Sequence, residues 1–130
     1  MPGFIWLKSL LALAAGTAAF AGTVLRAQQA SSGTHVEKGR AAFYSRTLEG
    51  HKTACGGTYN ASEMTTAHRT LPCGTRVRIT NVKNGKSAEA TVNDRGPTSR
   101  ARIADVSEAV AEQLDFVKQG TATVEIEVLQ

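Results

Sequence analysis

The sequence predicts an all-β domain: a small closed barrel of about six strands carrying one short helix. Three observations carry this. Short strand candidates recur at regular spacing between Arg40 and Leu129, the pattern of a small barrel. An Asn-Gly pair, Asn84-Gly85, lies between two alternating segments, the strongest short hairpin signal. One stretch alone, Glu108 to Leu114, combines an apolar stripe with a cap residue. At 130 residues, with 42% hydrophobic and 20% charged residues, the chain has room for one core and not two. That balance is not the composition of a disordered chain.

The elements follow in order. Arg40-Ala41-Ala42-Phe43-Tyr44 is a short strand. Ser45 to Asn60 is broken repeatedly by Gly and Thr and reads as a long loop, the kind that tends to carry function. Met64 to His68 is a second strand, closed by the Leu71-Pro72-Cys73-Gly74-Thr75 turn. Arg76 to Thr80 and Ser87 to Val92 alternate on either side of the Asn-Gly turn. Period two places Val77, Ile79, Ala88, Ala90 and Val92 inward, and Arg76, Arg78, Glu89 and Thr91 outward. Ala101 to Val106 is extended. Ser107 is the expected N-cap of the helix, with Val110, Ala111 and Leu114 as its apolar stripe. Gly120 ends the connection, and Thr121 to Leu129 is the last strand, with Val124, Ile126 and Val128 inward.

The first residues read as a leader and not as fold. Lys8 supplies a positive region, Leu10 to Phe20 is mostly apolar, and Ala19-Phe20-Ala21 is an A-x-A cleavage signature. The apolar stretch is short for a span of about 20 residues. Residues 1–27 are expected to be a signal peptide and cleavage region, 28–38 a flexible leader, and 39–130 the barrel domain. No Cys lies near the leader to carry a thioether-linked lipid. The chain is expected to be exported to the periplasm or extracellular envelope, with no stable membrane insertion after cleavage. Cys55 and Cys73 are the two cysteines. An even count in an exported chain predicts a disulfide, closing a loop of about 18 residues worth roughly 3 kcal/mol in the chain-entropy model. His35, His51 and His68 are scattered and form no zinc pattern with them. No metal or other cofactor is expected. Four Phe, two Tyr and one Trp are too few for a nucleic-acid stacking platform. The net charge of +4 suits an acidic polymer without naming one.

Chemistry concentrates in Val92-Asn93-Asp94-Arg95-Gly96-Pro97. Gly and Pro fix the backbone where a strand ends, and a carboxylate held rigidly at a barrel mouth can act as a general acid or base. An Asp in such a place can also simply bond its own turn or pair with Arg95. Close pairing with Arg95 would favour the charged form, so a proton-donating Asp94 requires Arg95 to point away or burial to compensate. His68, near the second strand's end, is a possible proton carrier. Thr53 to Asn60 is Gly-rich, but no Gly-Lys-Ser/Thr follows, so a phosphate cradle is a weak reading.

Together these residues resemble a known family. Tyr44, Thr53-Ala54-x-Gly56, Tyr59-Asn60, Met64-Thr65-x-Ala67-His68-Arg69-Thr70-Leu71-Pro72, Asn93-Asp94-Arg95-Gly96-Pro97 and Asp105-x-Ser107 occur in this order. The pattern is similar to the rare lipoprotein A (RlpA) family of septal-ring lytic transglycosylases, from about Gly39 to Leu129. The resemblance implies a six-stranded double-psi β-barrel. It implies an envelope enzyme, acting as a monomer, that cleaves peptidoglycan between N-acetylmuramic acid and N-acetylglucosamine. The muramoyl 6-hydroxyl then closes a 1,6-anhydro ring. No water enters, so one carboxylate can suffice where hydrolases usually use two. Carried over by motif, Asp94 is the acid/base with His68 beside it, and Tyr59, Asn60, Thr66, Asn93 and Arg95 contact the glycan.

Four positions depart from the family pattern. Members considered active usually have Gly-Glu-x-Tyr-Asp where this chain has Gly56-Gly57-Thr58-Tyr59-Asn60. Cys55 and Cys73 replace the commoner Asn and Leu. The Ala-Cys-Gly and Cys-Gly pair is similar to expansins and barwin-like proteins. That second resemblance implies an alternative: a wall-polysaccharide-binding module that does not cut. Asp94, His68, Tyr59 and Asn60 are expected to converge in one cleft.

Overall fold

A computed structural model describes residues 35–129. The expected signal peptide and residues 28–34 of the expected leader lie outside the described residues. The central hairpin forms as its alternation dictates. Strand β3 (Arg76–Asn81) pairs antiparallel with β4 (Ser87–Asp94), with Val77 opposite Ala90 and Ile79 opposite Ala88. Gly85 takes φ +78° in the turn, and its N–H donates to the Asn81 carbonyl at 2.8 Å. Only glycine adopts that conformation without steric cost. Inward-facing Val77, Ile79, Ala88, Ala90 and Val92 are all buried. Outward, Arg76 reaches Glu89 and Arg78 reaches Glu127, both at 2.8 Å. Such exposed pairs contribute about 0–1 kcal/mol each.

Four further strands complete the sheet among the described residues: β1 (Val36–Phe43), β2 (Thr65–His68), β5 (Ala104–Val106) and β6 (Thr121–Val128). The order around the closed barrel is β1-β5-β2-β4-β3-β6. Pairs β1/β5 and β2/β4 are parallel and the rest antiparallel. A barrel of six strands has a narrow interior, which explains why Ala41, Ala88, Ala90 and Ala104 line it beside the branched Val77, Ile79, Val106, Val124 and Ile126. The one α-helix among the described residues, α1 (Glu108–Gln113), begins at its expected cap: the Ser107 hydroxyl accepts from the Val110 N–H. Val110, Ala111 and Leu114 are fully buried against the barrel. Phe116 adds an edge-on contact to Phe43, with centroids 6.0 Å apart.

Two strand boundaries and one loop differ from expectation. Val36 to Lys38, assigned to the leader from sequence, pair with Glu127 to Glu125 and so open β1. Their side chains are largely exposed, so the main-chain ladder forms this end without an apolar signature. Strand β5 starts at Ala104, not Ala101, because residues before it turn, with the Arg102 N–H on the Ser99 carbonyl. The long loop from Ser45 is ordered locally. A 3-10 turn spans Arg46–Leu48, and Lys52 and Thr58 form an isolated antiparallel bridge.

Candidate functional site

A register shift in the β2/β4 ladder builds the site floor, because strict alternation would turn Asp94 inward with Val92. Across four neighbouring strands, Ala42 pairs with Asp105, Asp105 with Ala67, and Ala67 with Asp94. Residues paired across a ladder share one face. This rung therefore carries two carboxylates on the barrel's outer face, separated by the small Ala67. Over it opens a cleft of about 470 Å³, walled by the 44–59 loop and the 95–102 turn. Its volume lies within the range of small-molecule sites.

Asp94 is fixed by three donors. The Tyr44 hydroxyl donates to Oδ2 at 2.5 Å. The N–H groups of Ala54 and Arg95 donate to Oδ1 at 2.8 and 2.9 Å. Burial pushes the Tyr44 phenol well above its ordinary pKa, and the hydrogen bond and charge of Asp94 push it further. Tyr44 thus remains a donor throughout the neutral range. Arg95 turns away from Asp94. Its guanidinium donates to the carbonyls of His68 and Leu71 at 3.0 and 2.7 Å. The turn beyond it is set by Gly96, at φ +128°, and a cis Gly96-Pro97 bond. Arg69 braces the same turn by donating to the Pro97 and Arg102 carbonyls at 2.5 and 2.6 Å.

Asp105 is the second carboxylate of the cleft. Burial raises its pKa above the ordinary value, a push that the Arg102 guanidinium, 3.2 Å from Oδ1, only partly offsets. Sequence reasoning included Asp105 only as part of a motif and gave it no role. Tyr44 likewise appeared as a family marker without a contact.

The loop over the cleft is pinned at three points. Arg46 forks onto Glu108 at 2.7 Å. The Tyr59 hydroxyl accepts from the Glu108 N–H at 3.1 Å. Cys55 and Cys73 are joined, as expected. Tyr59 also packs on Tyr44, with ring centroids 4.6 Å apart, and burial raises its phenol pKa.

Of the site residues expected from sequence, Asp94, Tyr59 and Arg95 line this cleft. His68, Asn60, Thr66 and Asn93 do not. Thr66 and His68 flank Ala67, so period two turns both to the opposite face of β2, where they are buried. His68 Nδ1 accepts from the Thr70 and Leu71 N–H groups, each at 3.1 Å. That places the ring hydrogen on Nε2, which donates to Glu37 at 2.7 Å. Both imidazole nitrogens are therefore engaged away from Asp94, and His68 touches the site only through its carbonyl on Arg95. The Thr66 hydroxyl donates to the Ala67 carbonyl at 3.0 Å. Asn60 accepts from the Ser62 N–H and hydroxyl within its own turn. Asn93 lies in a separate depression with Gly56 and Gly57. The expected four-residue convergence thus reduces to Asp94 and Tyr59, joined by Tyr44 and Asp105.

Residues 36–126 match the family described as lytic transglycolase. This chain belongs to the lytic transglycolase family. Among the family's named relatives, the endolytic peptidoglycan transglycosylase RlpA of Neisseria meningitidis serogroup A is 50% identical over 91 residues. The match covers 70% of this chain and 38% of the relative. The protein of the same name from Vibrio cholerae is 46% identical over 93 residues, covering 72% and 35%. The chain therefore spans well under half the length of these relatives. Two solved structures share the fold. The Streptomyces papain inhibitor aligns with a TM-score of 0.61 at 22% identity, covering 74% of this chain and 96% of that one. The apo expansin of Clavibacter michiganensis aligns with a TM-score of 0.59 at 23% identity, covering 74% and 51%. The lytic transglycolase barrel described here is the expected double-psi β-barrel.

Proposed function

We propose that this chain carries the barrel of an endolytic peptidoglycan transglycosylase. Its substrate is the peptidoglycan glycan strand, and it works in the cell envelope. The observation that carries the reading is the outer-face cleft over the Asp105-Ala67-Asp94 rung, in a chain half identical over its barrel to a named peptidoglycan transglycosylase. A carboxylate held by three donors at the edge of an open cleft is preorganised for the positive charge that develops at a glycosidic carbon. The muramoyl 6-hydroxyl is the internal nucleophile, so the products carry 1,6-anhydro ends and no water is consumed. The protein is read as a monomer that needs no cofactor for this chemistry.

Incubation of purified sacculi with the protein, followed by mass analysis of the released material, tests this. Anhydro-muropeptides are the expected product. Reducing ends would mean hydrolysis, and bound glycan without release would mean an expansin-like wall-binding module. Asp94→Asn preserves shape, and its single amide oxygen can still accept from the Ala54 and Arg95 N–H groups though no longer from Tyr44 as well. It loses the charge, and cleavage should fall by at least about 10²-fold. Cleavage unchanged in that variant would make Asp94 structural.

A further inference from the structure

We propose that Asp105 is the proton-carrying acid/base of this cleft, and that Asp94 is its fixed negative charge. The assignment rests on the transglycosylase reading and divides labour between the two carboxylates on one rung.

The hydrogen-bond geometry separates them. Both Asp94 oxygens are already acceptors, one for the Tyr44 hydroxyl and one for two backbone N–H groups. Three donors thus occupy three of its four lone-pair positions. Asp105 has a single side-chain partner among the described residues, the Arg102 Nε on Oδ1. Among the described residues no hydrogen bond engages its Oδ2, and Asp105 lines the cleft. Adjacent strands lie about 4.8 Å apart, so two carboxylates one strand removed from each other sit roughly 10 Å apart at their Cα atoms. Only Ala67, itself buried, lies between them on the rung. Four charged or titratable groups face Asp105: Tyr44 after β1, Arg69 after β2, Asp94 on β4 and Arg102 ahead of its own strand. Burial and the Asp94 charge favour the protonated form, and the two arginines oppose it.

The step balances. The Asp105 carboxylic acid gives its proton to the glycosidic oxygen as the C1–O4 bond breaks, and the released sugar keeps that proton on its 4-hydroxyl. Asp94 faces the positive charge at C1. The muramoyl 6-hydroxyl oxygen then bonds to C1, and its proton passes to the Asp105 carboxylate. The acid is regenerated, and neither water nor any co-reactant is required.

The test combines cleavage of sacculi with carbon-detected NMR titration of the aspartate carboxyls in the wild-type protein. Asp105→Asn should lower anhydro-muropeptide release by at least about 10²-fold with an unchanged circular-dichroism spectrum. Arg102→Gln should move the alkaline limb of the pH–rate profile upward, since a cation that favours charged Asp105 has been removed. In the titration, Asp105 should hold its proton above the ordinary aspartate range. Titration of Asp105 within that range overturns the proposal even if Asp105→Asn fails to fold. So does full activity of folded Asp105→Asn. Wild-type protein that releases no anhydro product overturns the functional reading instead, and an acid role for Asp105 falls with it whatever its titration.

Discussion

Asp105 is half-buried with one cationic neighbour in contact, and burial favours its neutral form. Its ordinary value is 3.8 and its folded value is raised. Well below 3.8 the carboxyl is protonated in both folded and unfolded chains, and no penalty exists. As pH rises through the raised folded value, the unfolded chain ionises more readily, and folding stability falls. The expected outcome is that Asp105→Asn melts higher than wild type at pH 7, and that this advantage disappears near pH 3. Parallel melting curves at both pH values would show that Asp105 carries no folding penalty. A residue that costs stability where it serves chemistry is the usual compromise of an active site. His68 illustrates the limit of sequence at this scale. The residues around it identify the segment, but one position of strand phase decides the face. Ala67 looks outward and His68 inward, toward Glu37. Glu37 lies 31 residues away, in a stretch without apolar alternation, so nothing local announced it.

At the scale of elements, Ser107 links three segments. Its hydroxyl donates to the Glu63 carbonyl at 2.6 Å and accepts from the Val110 N–H at 3.3 Å and the Thr65 N–H at 3.4 Å. It is fully buried. Ser107→Ala removes the helix cap and takes the hydroxyl donor from the Glu63 carbonyl as well. A loss of about 1–3 kcal/mol is expected in urea unfolding, above the usual cost of a cap alone. A loss under about 0.5 kcal/mol would mean that water replaces the hydroxyl. The cap was legible in the sequence because a Ser preceding an apolar stripe has a local physical meaning. The hairpin was legible for the same reason, through Asn84-Gly85 and period two. The loop from Ser45 to Asn60 was not. Its order comes from Arg46 on Glu108, 62 residues away, and Tyr59 on the Glu108 N–H, 49 residues away. Local pattern carries no trace of such partners.

For the whole molecule, the disulfide couples stability to the cleft. Cys55 and Cys73 are 18 residues apart, and closing a loop of that length is worth roughly 3 kcal/mol in the chain-entropy model. The bond also has a position. The Cys55 N–H donates to the Asn93 carbonyl at 3.2 Å, and the preceding Ala54 N–H donates to Asp94 at 2.8 Å. The bridge thus holds a loop against the strand end that carries Asp94. Entropic stabilisation alone would make the double variant Cys55→Ser, Cys73→Ser less stable but fully active while folded. Positioning by the bridge predicts more. The Ala54 N–H should leave Asp94 for part of the time, and cleavage by folded protein should drop several-fold beyond any loss of folded fraction. Urea unfolding and sacculus digestion at a temperature well below the melting point separate the two. A stability loss of about 3 kcal/mol with undiminished turnover would confine the bridge to the unfolded-state ensemble. A matched loss of turnover would make it part of the cleft, since Tyr44 and the Arg95 N–H alone would then be too few donors to hold Asp94 in place.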